Sequence, residues 1–246
     1  MKKVKDQALL SYPVSRPVVS ALLSEMSAKG DILRADVQAP GGLTIAMIVD
    51  AVSQHIHHNY GKGFVGTARI PVIAMYAVYT LLVLDVKRYS GKTLLPLETH
   101  TSPDSRSKAL GDIVVNNADG TCFEAIEIKH NKPITPDMVG VAYRKIKDSA
   151  LNRYYILTTH EPNCDAYESV MQEITRYKKI HPCEIVINGV IPSLKYYLRL
   201  ITNPASFIHE YTRWLEFEYQ RASGIKQEHL RVWKEICQES LSPEKT

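Results

Sequence analysis

Between residues 107 and 130 the chain reads SKALGDIVVNNADGTCFEAIEIKH, two β-forming runs separated by the turn signal Asn-Asn-Ala-Asp-Gly. Asp112 to Val115 and Phe123 to Lys129 are expected to pair as an antiparallel hairpin. A two-residue turn at Asp119-Gly120 sets Ala118 opposite Thr121, and continuing that register sets Asp112 directly opposite Glu127. Opposed residues share a sheet face, with Cβ atoms about 4.5–5.5 Å apart. Lys129, two residues beyond Glu127, points to the same face about 7 Å along the strand. A slip of one residue would turn the two carboxylates to opposite faces and leave a surface hairpin. The apolar neighbours Ile113, Val114, Val115, Ile126 and Ile128 speak for a central one.

Two carboxylates held that close repel each other unless a cation lies between them. A hard divalent ion such as Mg²⁺ suits such a site, because it prefers oxygen ligands and retains water. An ammonium on the same face can position a water or bear developing phosphate charge.

The rest of the chain frames this hairpin. Its 246 residues, 45% hydrophobic and 23% charged, fit one large domain and exclude a mainly disordered, collagen-like or disulfide-dense chain. Residues 1–93 read as mostly helical: a short helix after Pro17, another over Leu43–Tyr60, a glycine loop, and a long apolar helix from Pro71 to Tyr89. The segment 94–190 reads as the core. It has an edge strand near Leu94–Thr99, the hairpin, a helix capped by Thr135, a strand at Tyr154–Thr159, a helix at Asp165–Ile180 and a strand at Glu184–Asn188. Residues 191–246 read as C-terminal helices. The expected fold is α/β, a mixed sheet flanked by helices, with the three segments in one unit.

At these residues the sequence resembles the PD-(D/E)xK nuclease superfamily, and within it a type II restriction endonuclease. The resemblance covers about residues 94–190 and rests on Asp112 in GDIVV, on Glu127-Ile128-Lys129 in EAIEIK, and on the strand-helix-strand order after them. Gly111 stands where that family often has proline. The resemblance implies a restriction-endonuclease-like sheet and Mg²⁺ held by Asp112, Glu127 and the backbone carbonyl of Ile128, with Lys129 assisting the water. Glu98, from the preceding element, is a candidate further ligand. Arg106, Lys108, His130, Asn131 and Lys132 flank the motif and are candidates for DNA contact, having side chains suited to phosphate and base edges.

The implied activity is Mg²⁺-dependent cutting of double-stranded DNA at a specific sequence. A structure-specific or repair nuclease and a non-catalytic DNA-binding module are the alternatives. A homodimer is expected, since two-fold protein symmetry mirrors a palindromic site and the Pro71–Tyr89 helix is apolar nearly all round. Neither a nucleotide cofactor nor a membrane partner is expected: Gly61–Gly66 matches GxGxxG but follows a helical pattern, and Ile70–Val86 is short for a span. His55, His57 and His58 read as a solvated helix end. Four scattered cysteines and no secretory signal point to free thiols in a cytoplasmic protein, and a net charge of +4 permits an anionic partner.

Overall fold

Helix α1 (Ile45–His57) begins where Thr44 is extended and its hydroxyl takes the Met47 amide, a side-chain cap. The computed structural model describes residues 42–98 and 110–241, and the helix expected after Pro17 lies outside them. The Gly61–Gly66 stretch is the loop from α1 to α2 (Arg69–Asp85). Every residue of α2 from Arg69 to Tyr79 is buried, because α1, α5 (Val190–Leu198) and α6 (Ser206–Gln220) pack around it. That burial accounts for its apolar residues on all sides over these turns. Beyond them Leu84 is exposed and Leu81 and Val83 are half-buried, so less apolar surface is left for a dimer interface than the sequence implied. Among the described residues no helix is long and apolar enough to cross a membrane.

The helix ends at Asp85, short of the expected Tyr89, because Val86 is extended; a single 3₁₀ turn, Lys87–Tyr89, follows. The chain then enters a five-stranded sheet in the order β1-β2-β3-β4-β5. Strand β1 is only Thr93–Leu94. One more bond follows, Leu95 N–H to the Val114 carbonyl, and Pro96 has no N–H with which to continue the ladder.

The hairpin of β2 (Ile113–Asn116) and β3 (Cys122–Lys129) reaches its register by a different route from the expected one. Asn117 and Thr121 close a loop of three residues rather than two, with Gly120 at φ +82°. Asn116 consequently pairs with Cys122. Val115 pairs with Glu124, so Phe123 is an extra residue, a bulge that takes back the shift. From there Ile113 pairs with Ile126. The expected register is restored, and its continuation sets Asp112 opposite Glu127.

Beyond β3 the sheet is parallel: β4 (Arg153–Thr158) lies beside β3, and β5 (Glu184–Gly189) beside β4. Helices α3 (Pro136–Ile146) and α4 (Tyr167–Lys178) supply the crossovers. As expected, Thr135 caps α3 through the Met138 amide, and Pro136 occupies its first turn. Val139, Ala142 and Ile146 of α3 join Val170 and Ile174 of α4 in one apolar cluster with Ala125, Tyr154, Ile156 and Ile185 of the sheet. By strand alternation Asp112, Glu127 and Lys129 share this face. The opposite face turns Ile113, Val115, Ile126 and Ile128 inward, together with a buried acid, Glu124.

The C-terminal segment is helical as expected, with α5 running directly out of β5, then α6 and α7 (Gln227–Ser240). The described residues therefore form an α/β structure with a mixed sheet flanked by helices, and all four cysteines are free thiols.

Gly111, just before β2, lies tight against the backbone of β3. A Cβ there would meet the Ile126 carbonyl oxygen at 2.6 Å, so any side chain must push β2 away from β3. We expect Gly111→Ala to lose about 1–3 kcal/mol of stability, the usual penalty of overpacking. Urea unfolding checks this; a midpoint equal to wild type would show that the strand ends yield freely.

Candidate functional site

The α3-facing side of the hairpin brings together four charged side chains and a tyrosine. Asp112 Oδ2 accepts the Ile128 N–H at 2.7 Å, which ties the residue before β2 to the middle of the motif. Glu127 is held from two sides: Lys129 Nζ donates to Oε1 at 2.6 Å and Lys145 Nζ to Oε2 at 2.8 Å. The hydroxyl of Tyr154, a buried residue of β4, donates to the same Oε2 at 3.3 Å. Lys129 arrives by strand alternation. Lys145 arrives from α3, whose buried positions Ala142 and Ile146 fix the helix over the sheet.

The two carboxylates differ in their electrostatics. Burial pushes the Asp112 carboxyl above the usual range, and the charge of Glu127 pushes it further. Burial acts upward on Glu127 as well, but hydrogen bonds and charge from Lys129 and Lys145 outweigh it and hold this carboxyl below its ordinary value. Burial and the Glu127 charge keep the Tyr154 phenol protonated and able to donate.

The donor set fits a hard divalent cation. Two carboxylates from neighbouring strands offer oxygen, and Asp112 is a carboxylate beside another carboxylate, the electrostatic condition that a cation relieves. Asp112 and Glu127 would hold such an ion, leaving its other positions to water. At Ile128 the backbone contact seen is the amide donating to Asp112, which orients that ligand.

Other expected residues are placed differently. The Glu98 side chain is exposed, while its carbonyl accepts the Arg69 guanidinium at 2.9 Å. Among the described residues no group of three or more His, Cys, Asp or Glu side chains could hold a metal, so Glu98 does not join the pair. Arg106 and Lys108 lie outside the described residues. His130 and the Asn131 backbone turn back onto the end of β4: the His130 ring shares a hydrogen bond with the Thr159 hydroxyl at 3.1 Å, and that hydroxyl also accepts the Asn131 backbone N–H at 2.9 Å, while Asn131 as a whole is exposed. Burial, with the nearby His57 ring, pushes the His130 imidazole below its ordinary value, so it is a weak cation for phosphate. Lys132 is exposed, and its carbonyl takes the Thr158 hydroxyl.

At the histidine-rich end of α1, His57 and His58 are exposed as expected, and His55 departs from the expectation of a solvated helix end. His55 is fully buried; its Nε2 lies 3.0 Å from the His229 carbonyl, so Nε2 must donate, and the Tyr211 hydroxyl then donates to Nδ1 at 2.7 Å. Burial lowers its pKa to about 3. It is a neutral core residue.

Sequence reasoning missed Lys145, Tyr154 and Glu124. The signal for Lys145 was available in principle, since it borders the apolar stripe of a helix that must cross the sheet. No family model and no curated protein matches the chain.

The asymmetry of the two acids gives a test in the metal-free protein. A carboxyl raised in the folded state costs stability while ionised, and that cost fades as pH falls through its folded pKa. Asp112→Asn should therefore raise Tm at neutral pH, with a gain that shrinks in acid. Glu127 contributes the reverse, stabilisation present above the unfolded carboxylate pKa and lost as pH falls through its lower folded value. Glu127→Gln should lower Tm at pH 7, leaving two ammonium groups without their partner, and converge on wild type in acid. Thermal melts across pH check both signs.

Proposed function

We propose that this chain is a Mg²⁺-dependent endonuclease of the PD-(D/E)xK kind, cutting double-stranded DNA at a specific sequence as type II restriction enzymes do. The observation that carries the reading is the single cluster formed by Asp112, Glu127 and Lys129 on one sheet face, with Lys129 already on a Glu127 oxygen at 2.6 Å. Support also comes from the surrounding order of elements. An antiparallel hairpin carries the acids, and a helix crosses to a parallel strand directly after the lysine, as expected of a restriction-endonuclease-like core.

A bound divalent ion would supply Lewis-acid activation of water and charge neutralisation at the phosphate. The residues of this chain supply the rest. Asp112 and Glu127 hold the ion, the Ile128 amide fixes the direction of Asp112, and the Lys129 ammonium orients the attacking water or bears charge developing on phosphate. Exposed Lys132, beside the end of β3, is available to the DNA backbone, where lysine acts as a point charge. Action as a homodimer rests mainly on the two-fold symmetry of duplex cutting, since most of α2 is covered within the chain.

A second reading has one observation in its favour. Both Glu127 oxygens are neutralised by lysines of the same chain, so clustering the acids carries less cost than their sequence spacing implies, and a DNA-binding module could keep them as an internal ion network.

Cleavage separates the two readings. With Mg²⁺, a long duplex should give discrete fragments, and excess EDTA should stop the reaction. Asp112→Asn, Glu127→Gln and Lys129→Met should each lower the rate by about a hundredfold or more while keeping the folded circular dichroism spectrum. Ca²⁺ should support binding with little cutting, because its looser shell positions water poorly. DNA binding without cutting in any divalent metal would favour the module. Light scattering on a cognate duplex in Ca²⁺ should find two protomers per site.

A further inference from the structure

Lys145 has no place in the sequence motif, yet the fold delivers it to the same carboxylate as Lys129. We propose that Lys145 is a second lysine of the centre: without metal its ammonium shares with Lys129 the seat at Glu127 that a divalent cation takes, and on metal binding it is released to hold a non-bridging phosphate oxygen. The phosphate half of this inference rests on the nuclease reading.

The argument starts from occupancy. Lys129 and Lys145 take one Glu127 oxygen each, at 2.6 and 2.8 Å, and the Tyr154 hydroxyl adds a third donor. A dication on either Glu127 oxygen would lie beside an ammonium that it repels, which favours displacement of one of them. The two lysines are about equally exposed, Lys145 at 32% and Lys129 at 29%, and differ in origin. Lys129 rises from β3 two residues from Glu127, whereas Lys145 reaches across from the rim of α3 on a flexible four-carbon stem and can swing back toward its own helix. Its starting point stays fixed, because Ala142 and Ile146 on either side are buried against the sheet.

Charge points the same way. Asp112 and Glu127 ionised, with Lys129 and Lys145 protonated, sum to a neutral centre. A dication added to it leaves two positive charges, matching the double negative charge that a phosphodiester reaches when hydroxide attacks it. A displaced lysine would therefore stay near the centre once the anion arrives, instead of turning to solvent.

The test uses the full chain, first without DNA. Mn²⁺ binding is measured by calorimetry for wild type, Lys145→Met, Lys145→Arg and Asp112→Asn. Lys145→Met should bind Mn²⁺ about tenfold more tightly, because a competing ammonium is gone. Lys145→Arg should stay near wild type, and Asp112→Asn should lose the binding. With DNA and saturating metal, Lys145→Met should cut about a hundredfold more slowly in a single turnover, a loss that extra metal does not restore. Mn²⁺ affinity unchanged in Lys145→Met, or retained in Asp112→Asn, would overturn the competition for the seat. Normal cutting by Lys145→Met would overturn the phosphate role. Wild type that binds Mn²⁺ at this seat but cuts no nucleic acid would overturn the nuclease reading and the phosphate role together, while the tightening in Lys145→Met would still support the competition.

Discussion

The pairing of Ile113 with Ile126 decides which residues of the hairpin face α3 and which face α2. A shift of one residue would send Asp112 away from Glu127 and expose apolar side chains on both faces. Three features hold that register. The three-residue loop closes on Gly120, the bulge at Phe123 absorbs the extra residue, and Gly111 lets the strands approach where any Cβ would collide. Hydrophobic burial sets the preference: Ile113, Val115, Ile126 and Ile128 reach the core together only in this arrangement.

Each sheet face carries a compensated acid. On one, Glu127 is partly exposed and held by two lysines whose ammonium groups can move. On the other, Glu124 is fully buried, with Arg88 and the Tyr89 hydroxyl each 2.6 Å from its oxygens. Burial pushes the Glu124 carboxyl above its ordinary value, while the Tyr89 hydrogen bond and Arg88 act downward. The helical layer repeats the device at Arg69 and Glu218, 2.6 Å apart and both buried. In both pairs the acid is fully buried and fixes positions, since removing its cation leaves an uncompensated charge in the interior. The Glu127 cluster differs in its access to solvent, the property that a metal-binding or phosphate-binding centre needs.

Arg69 also shows how the helices serve the sheet. Its guanidinium joins Glu218 of α6 to the Glu98 carbonyl in the segment after β1. The 3₁₀ turn that ends α2 early aims Arg88 and Tyr89 at Glu124, linking the central helix to β3. The buried His55 ties α1 to α6 and α7 through Tyr211 and His229.

Local chemistry determined much of this fold. The Asn-Asn-Ala-Asp-Gly turn, the alternation of Glu127-Ile128-Lys129, the Thr135-Pro136 cap and the β-rich run at Tyr154 are each set by neighbours in the chain. They were legible as strands and helices to within a few residues. The hairpin register was legible too, although by a turn one residue too short whose error the Phe123 bulge cancelled; a bulge leaves no clear local pattern. What only tertiary structure decided were the contacts between segments far apart. Those include Lys145 on Glu127, Arg88 and Tyr89 on Glu124, His55 in the core instead of in solvent, and the covering of most of the long apolar helix within the chain. A side chain's partner depends on how crossovers and layers pack, and sequence distance carries no information about that.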